Sequence, residues 1–166
     1  HIPNNKLQKL FSHFKLVEFN LSIDGLKTHF EYIRYPAKWQ KLLQTIKWCN
    51  KQKNFTWGIV TTVSILNIFY LDEILNEFDQ WEKKNVFLNI LEGPRYYNIK
   101  NLPQATKNAI TKKYSGNERL QSVVNFMNST QQNEKHWNEF NFWTKQSDNY
   151  RNNNFQFTFP EFHSIL

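Results

Sequence analysis

Leu16-Val17-Glu18-Phe19-Asn20-Leu21-Ser22-Ile23-Asp24-Gly25 decides how this chain is read. Val17, Phe19, Leu21 and Ile23 fall on one period-two face, the pattern of a half-buried strand. The run stops at a hydroxyl, a carboxylate and a glycine before a helical pattern begins. Such a strand delivers Ser22 and Asp24 to its own C-terminal end. In sheets whose strands are joined by helices, that end is where ligands bind.

Upstream, residues 3–14 form a short amphipathic stretch. Downstream, Trp39, Leu42, Leu43, Ile46 and Cys49 recur at three- and four-residue intervals and predict a helix, with Pro36 read as its first-turn proline. Residues 55–64, rich in Thr, Val, Ile and Trp, predict a buried strand. Leu71, Ile74, Leu75, Phe78 and Trp81 mark one face of another helix, with Asp72 and Glu73 where the macrodipole favours acids. Residues 86–91 predict a third strand ahead of Glu92-Gly93-Pro94. Strands and helices alternating over short connections predict an α/β fold with parallel pairing and right-handed crossovers. The strand ends then present Ser22 with Asp24, Ser64 with Asn67, and Glu92 along one edge, as a ligand cleft requires.

Past residue 101 the pattern changes. Residues 102–114 read as helical, and Gly116 breaks the run. Leu120, Val123, Val124 and Met127 form a further stripe, and Trp137, Phe140, Trp143 and Thr144 carry a last helix to about Arg151. Asn152-Asn153-Asn154 reads as a turn before an aromatic tail held by Pro160. The expected division is residues 1–101 as the sheet-bearing domain and 102–166 as a helical C-terminal appendage.

Composition narrows the function classes. The 166 residues suffice for one ordinary core, and no apolar run reaches the ~18–20 residues of a membrane span. The net charge is +7, yet the lysines are scattered among abundant Asn, Ile and Phe, the bias of an A/T-rich coding sequence, so a solvated surface accounts for it. The lone Cys49 closes no internal disulfide and lies on the core stripe of its helix, as a buried structural thiol would. A cytoplasmic chain without a membrane partner is the expectation. Histidines 1, 13, 29, 136 and 163 lack metal-site spacing, so no metal site is expected, and no Gly-rich phosphate loop is present. Taken alone, Ser22 to Gly25 is equally read as a strand-ending turn with Gly25 at positive φ, and Arg34 as a helix C-terminal cation, beside their reading as site residues.

Taken in order, three stretches carry a resemblance. Leu21-Ser22-Ile23-Asp24-Gly25, Tyr32-Ile33-Arg34-Tyr35-Pro36 with Trp39, and Thr62-Val63-Ser64-Ile65-Leu66-Asn67 leading into Leu71 and Leu75 resemble the second half of a radical S-adenosylmethionine (SAM) enzyme core. Glu92-Gly93-Pro94-Arg95-Tyr96-Tyr97, Asn101-Leu102-Pro103, Asp148 with Arg151, and Phe159-Pro160-Glu161 resemble the twitch-domain radical SAM proteins. The likeness runs over most of the chain, and order and spacing carry it more than any single motif.

The resemblance implies the last three strands of a partial (β/α) barrel, with S-adenosylmethionine lying across the strand C-termini beside a [4Fe-4S] cluster. Reductive cleavage would there yield a 5′-deoxyadenosyl radical, with an electron donor and a peptide, nucleic-acid or small-molecule substrate as partners. The family's CxxxCxxC loop and Gly-Gly-Glu element are absent. The cluster would therefore belong to a missing upstream region, and no residue here is assigned a catalytic role. By resemblance Ser22 contacts the ribose or amino-acid part of the cosubstrate, and Asp24 and Arg34 support that pocket, Arg34 facing the methionyl carboxylate. Ser64 and Asn67 would line the fifth strand's end and Glu92 the sixth's. The appendage has no cysteine, so no auxiliary cluster is expected. The alternative reading is a basic module that binds nucleic acid without catalysis.

Overall fold

Three strands, β1 (Val17–Ser22), β2 (Phe55–Val63) and β3 (Val86–Ile90), form one parallel sheet in that order in the computed structural model, which describes residues 2–81 and 86–162. On β1 the side chains alternate between half-buried Val17, Phe19 and Leu21 and exposed Glu18, Asn20 and Ser22, as the pleat requires. The central strand β2 buries Trp57, Ile59, Thr61 and Val63. Its register with β1 runs from Val17 opposite Phe55 to Ser22 opposite Val60. Parallel neighbours need a crossover. Helices α1 (Asn5–Phe11), α2 (Lys27–Ile33), α3 (Trp39–Asn50) and α4 (Leu71–Asp79) follow the chain, with α2 and α3 linking β1 to β2 and α4 linking β2 to β3. The α/β class is as expected.

By packing, the chain forms two compact units, one of residues 1–61 with 73–88 and one of residues 62–72 with 89–166. The 1–101 and 102–166 division expected from the sequence follows the change of pattern along the chain, whereas these units follow packing. Backbone bonds tie the end of β2 to the chain after β3: Leu91 N–H donates to the Val63 carbonyl at 2.9 Å, and Ile65 N–H to that of Tyr97 at 3.0 Å.

In the first unit, Phe11, Phe19, Trp48 and Phe55 cluster at centroid distances of 5.2 to 6.4 Å, edge-on except for the tilted Phe19–Phe55 pair. Ile23, Phe30, Trp39, Ile46, Ile59, Ile74 and Phe78 are sealed within it. Pro36 is not a first-turn proline. It follows a cis Tyr35–Pro36 peptide, and α3 starts at Trp39. Glu31 caps that helix instead, accepting the Trp39 N–H at 3.0 Å and the Lys38 ammonium at 2.9 Å. The Lys38 hydrogen bond, then the Trp39 N–H, hold the Glu31 carboxyl below its ordinary value. Trp81 lies beyond the end of α4, with its indole edge-on to Trp57 at 6.1 Å.

The second unit holds α5 (Gln104–Lys113), α6 (Gln121–Asn128), α7 (Glu134–Arg151) and α8 (Phe155–Thr158). Leu120, Val123, Val124 and Met127 are buried, as are Trp137, Phe140 and Thr144 on α7. Trp143, expected on that core stripe, is 46% exposed and stacks flat against Tyr96 at 6.3 Å. Its helix position flanks the buried row, and a neighbouring ring serves it in place of the core. Asn152 ends α7 in the left-handed conformation at φ 53°, the turn expected from the Asn run. Tyr114 joins α5 to the start of α4: its hydroxyl donates to the Ile68 carbonyl at 2.5 Å and accepts the Leu71 N–H at 3.2 Å. Burial pushes that phenol strongly upward, so it stays protonated. No helix among the described residues is long and apolar enough to cross a membrane.

Candidate functional site

The end of β1 is pinned before it reaches Asp24. Ile23 N–H donates to the Val60 carbonyl at 3.0 Å, and the buried Thr61 hydroxyl donates to the Ile23 carbonyl at 2.7 Å. Asp24 follows with 4% of its surface exposed. Gly25 then passes so close to α2 that an added Cβ would lie 2.9 Å from the His29 Cβ and 3.0 Å from backbone atoms of His29 and Phe30. Close approach, not a positive φ, is what demands glycine there. The positive φ falls on Lys27, at 49°, an uncommon conformation for a residue with a side chain.

Helix α2 is short enough to bring its C-terminal end back over this turn. Arg34 caps it, and the guanidinium Nε lies 2.5 Å from the Asp24 carboxylate. The Asp24 side chain is 6% exposed and that of Arg34 is 35% exposed, so the pair is sealed on the acid's side and open on the base's. Ser22 shares this unit, exposed on the outer face of β1 and level with Val60.

In the second unit, Asn67 is fully buried and staples the turn that leaves β2. Its Oδ1 accepts the Ser64 N–H at 2.8 Å, its Nδ2 donates to the Thr62 carbonyl at 2.9 Å, and its own N–H donates to the Ser64 carbonyl at 3.2 Å. Ser64 is buried beside it. Glu92 is exposed just past β3, ahead of a cis Gly93–Pro94 peptide. The structure thus joins Asp24 with Arg34 and Ser64 with Asn67. Neither Ser22 nor Glu92 has a side-chain partner among the described residues.

Among those residues, no three His, Cys, Asp or Glu side chains gather as a metal-binding group. Cys49 is 1% exposed, and burial pushes its thiol upward, away from the thiolate that binds metals. Sequence reasoning missed the cap at Glu31 and the strained Lys27. An acid seven residues ahead of a Lys-Trp helix start was the available signal for the first; nothing marked the second. No protein-family model matches the chain, and neither does any curated protein or solved structure.

Proposed function

We propose that this chain is part of a radical S-adenosylmethionine enzyme, supplying the last three strands of a partial (β/α) barrel and a twitch-like helical region. The Asp24–Arg34 pair at the end of a parallel strand carries the reading. A guanidinium is a planar fork with five donors. With the guanidinium Nε 2.5 Å from Asp24, the outer N–H groups of a side chain 35% exposed are available to the methionyl carboxylate of the cosubstrate. The sealed carboxylate keeps the cation beside the end of β1. Ser22, in the same unit, offers a hydroxyl to the ribose or amino-acid part. Asn67, with its carboxamide bonded to Thr62 and Ser64, acts as a positioning residue for the end of β2.

A [4Fe-4S] cluster takes several thiolates, and one sealed thiol does not fit it. In this reading the cluster and the docking of its electron donor belong to sequence outside these residues. The test is titration of the isotope-labelled chain with S-adenosylmethionine, following backbone amide resonances. Perturbation of Asp24, Gly25 and Arg34, abolished in Arg34→Ala, is the expected result. Absence of saturable binding by a folded chain refutes the proposal, as does a coding region upstream of His1 that lacks CxxxCxxC.

A further inference from the structure

A cavity of about 450 Å³ opens in the second unit between the C-terminal half of α7 and α8, inside the range of small-molecule sites. We propose that it is a mononucleotide pocket, independent of the reading above. Its wall includes Asn141, Thr144 and Lys145 from α7, Phe155 and Gln156 from α8, and Phe162.

The observation that points to a ligand is Thr144. This residue continues the buried row of Trp137 and Phe140, is 6% exposed, and lines the cavity, yet its hydroxyl oxygen has no hydrogen-bond partner among the described residues. Buried polar atoms are nearly always satisfied, so an orphan at a cavity wall marks a position where something else supplies the bond. Asn141, Lys145 and Gln156 also lack side-chain partners among the described residues. The supporting backbone is firm. Asp148 Oδ2 accepts the Phe155 N–H at 2.7 Å, and Asn154 Oδ1 accepts the Phe157 N–H at 2.8 Å, which together fix the entry into α8.

The chemistry of the wall selects the ligand. Phe155 and Phe162, 7% and 1% exposed and packed on each other, give the cavity an apolar floor against which a flat base can lie. The carboxamides of Asn141 and Gln156 each present a donor beside an acceptor, which matches the edge of a nucleobase. The Lys145 ammonium suits a phosphate, and Asp148 adds an acceptor for a ribose hydroxyl. A neutral sugar would leave the ammonium unmatched, and a sugar phosphate would leave the rings and carboxamides unused.

The test is an amide-resonance titration of the full chain with adenosine and guanosine monophosphates, with ribose 5-phosphate and methyl glucoside as comparison probes. One of the two nucleotides is expected to bind saturably and to shift Thr144, Lys145, Phe155 and Gln156. Thr144→Val and Gln156→Ala are each expected to weaken it about tenfold, the value of one lost hydrogen bond near the top of the usual range. Lys145→Gln should flatten its salt dependence. No saturable nucleotide binding by a folded chain overturns the proposal. So do ribose 5-phosphate or methyl glucoside binding as tightly, and shifts confined to Asp24, Gly25 and Arg34, which would place the nucleotide at the end of β1 instead.

Discussion

The Asp24–Arg34 pair is asymmetric, and that asymmetry sets an ordered expectation for its two single variants. Removing one member of a buried ion pair costs about 3–5 kcal/mol, whereas an exposed pair is worth only about 0–1 kcal/mol. Here the carboxylate side chain is 6% exposed and the guanidinium side chain 35% exposed, 2.5 Å apart. Arg34→Gln takes the cation away from a sealed carboxylate, so its cost should lie near the buried limit, about 3 kcal/mol. Asp24→Asn removes the sealed charge itself and leaves a guanidinium that water can already reach, so about 1–2 kcal/mol is expected. Urea unfolding followed by tryptophan fluorescence reports both, because Trp39 and Trp57 are buried in the same unit. The double variant completes the cycle and isolates the coupling. If Asp24→Asn proves as costly as Arg34→Gln or costlier, the solvent-access argument is wrong and the guanidinium is not the open cation used above.

Asn67→Ala should destabilise the chain by about 2–4 kcal/mol, since it strips bonds from the buried Ser64 N–H and the Thr62 carbonyl, while exposed Ser22→Ala should stay within about 0.5 kcal/mol; equal thermal midpoints for the two would contradict this. Lys107 is 1% exposed and donates to the Thr130 carbonyl at 2.7 Å, and burial, then nearby Lys100, push its ammonium below the usual 10.5. The native state therefore sheds this proton before the unfolded chain does, and stability relative to Lys107→Met should rise as pH climbs toward the ordinary lysine value. A difference that is flat or falls over that window, read from paired denaturant curves, would contradict it. Lys27→Gly should stabilise by about 0.5–1 kcal/mol by relieving the positive φ, and a destabilised variant in the same assay would show that the conformation carries no strain.

Periodicity made much of this architecture legible. The alternation of Val17, Phe19 and Leu21 and the stripe from Leu71 to Phe78 depend on local spacing alone, and the structure places them as read. What stayed hidden was non-local or fine-grained. Pro36 was misplaced because a cap from Glu31, eight residues ahead of Trp39, cannot be inferred from a proline rule. Trp143 was misassigned because bulk and spacing do not reveal that a half-exposed stack on Tyr96 is available. At the candidate site, Asp24 and Arg34 were both named, but their mutual pairing depends on where a short helix ends. Asn67 was named as lining the end of β2, and only the coordinates reveal a carboxamide turned inward onto its own turn. Thr144 read as core, and nothing in its spacing shows that the atoms expected around it are replaced by a void.

The strand order leaves β1 with a single neighbour, β2, among the described residues. Along its other flank, every second residue turns its amide and carbonyl outward, so Glu18, Asn20 and Ser22 present rungs that no strand among the described residues fills. Such a flank is a seam: a strand laid beside it would lengthen the sheet without disturbing the pairing to β2. Concentrated preparations should accordingly show light scattering that grows with concentration, and a seam of this kind is also where a larger assembly would be sewn together.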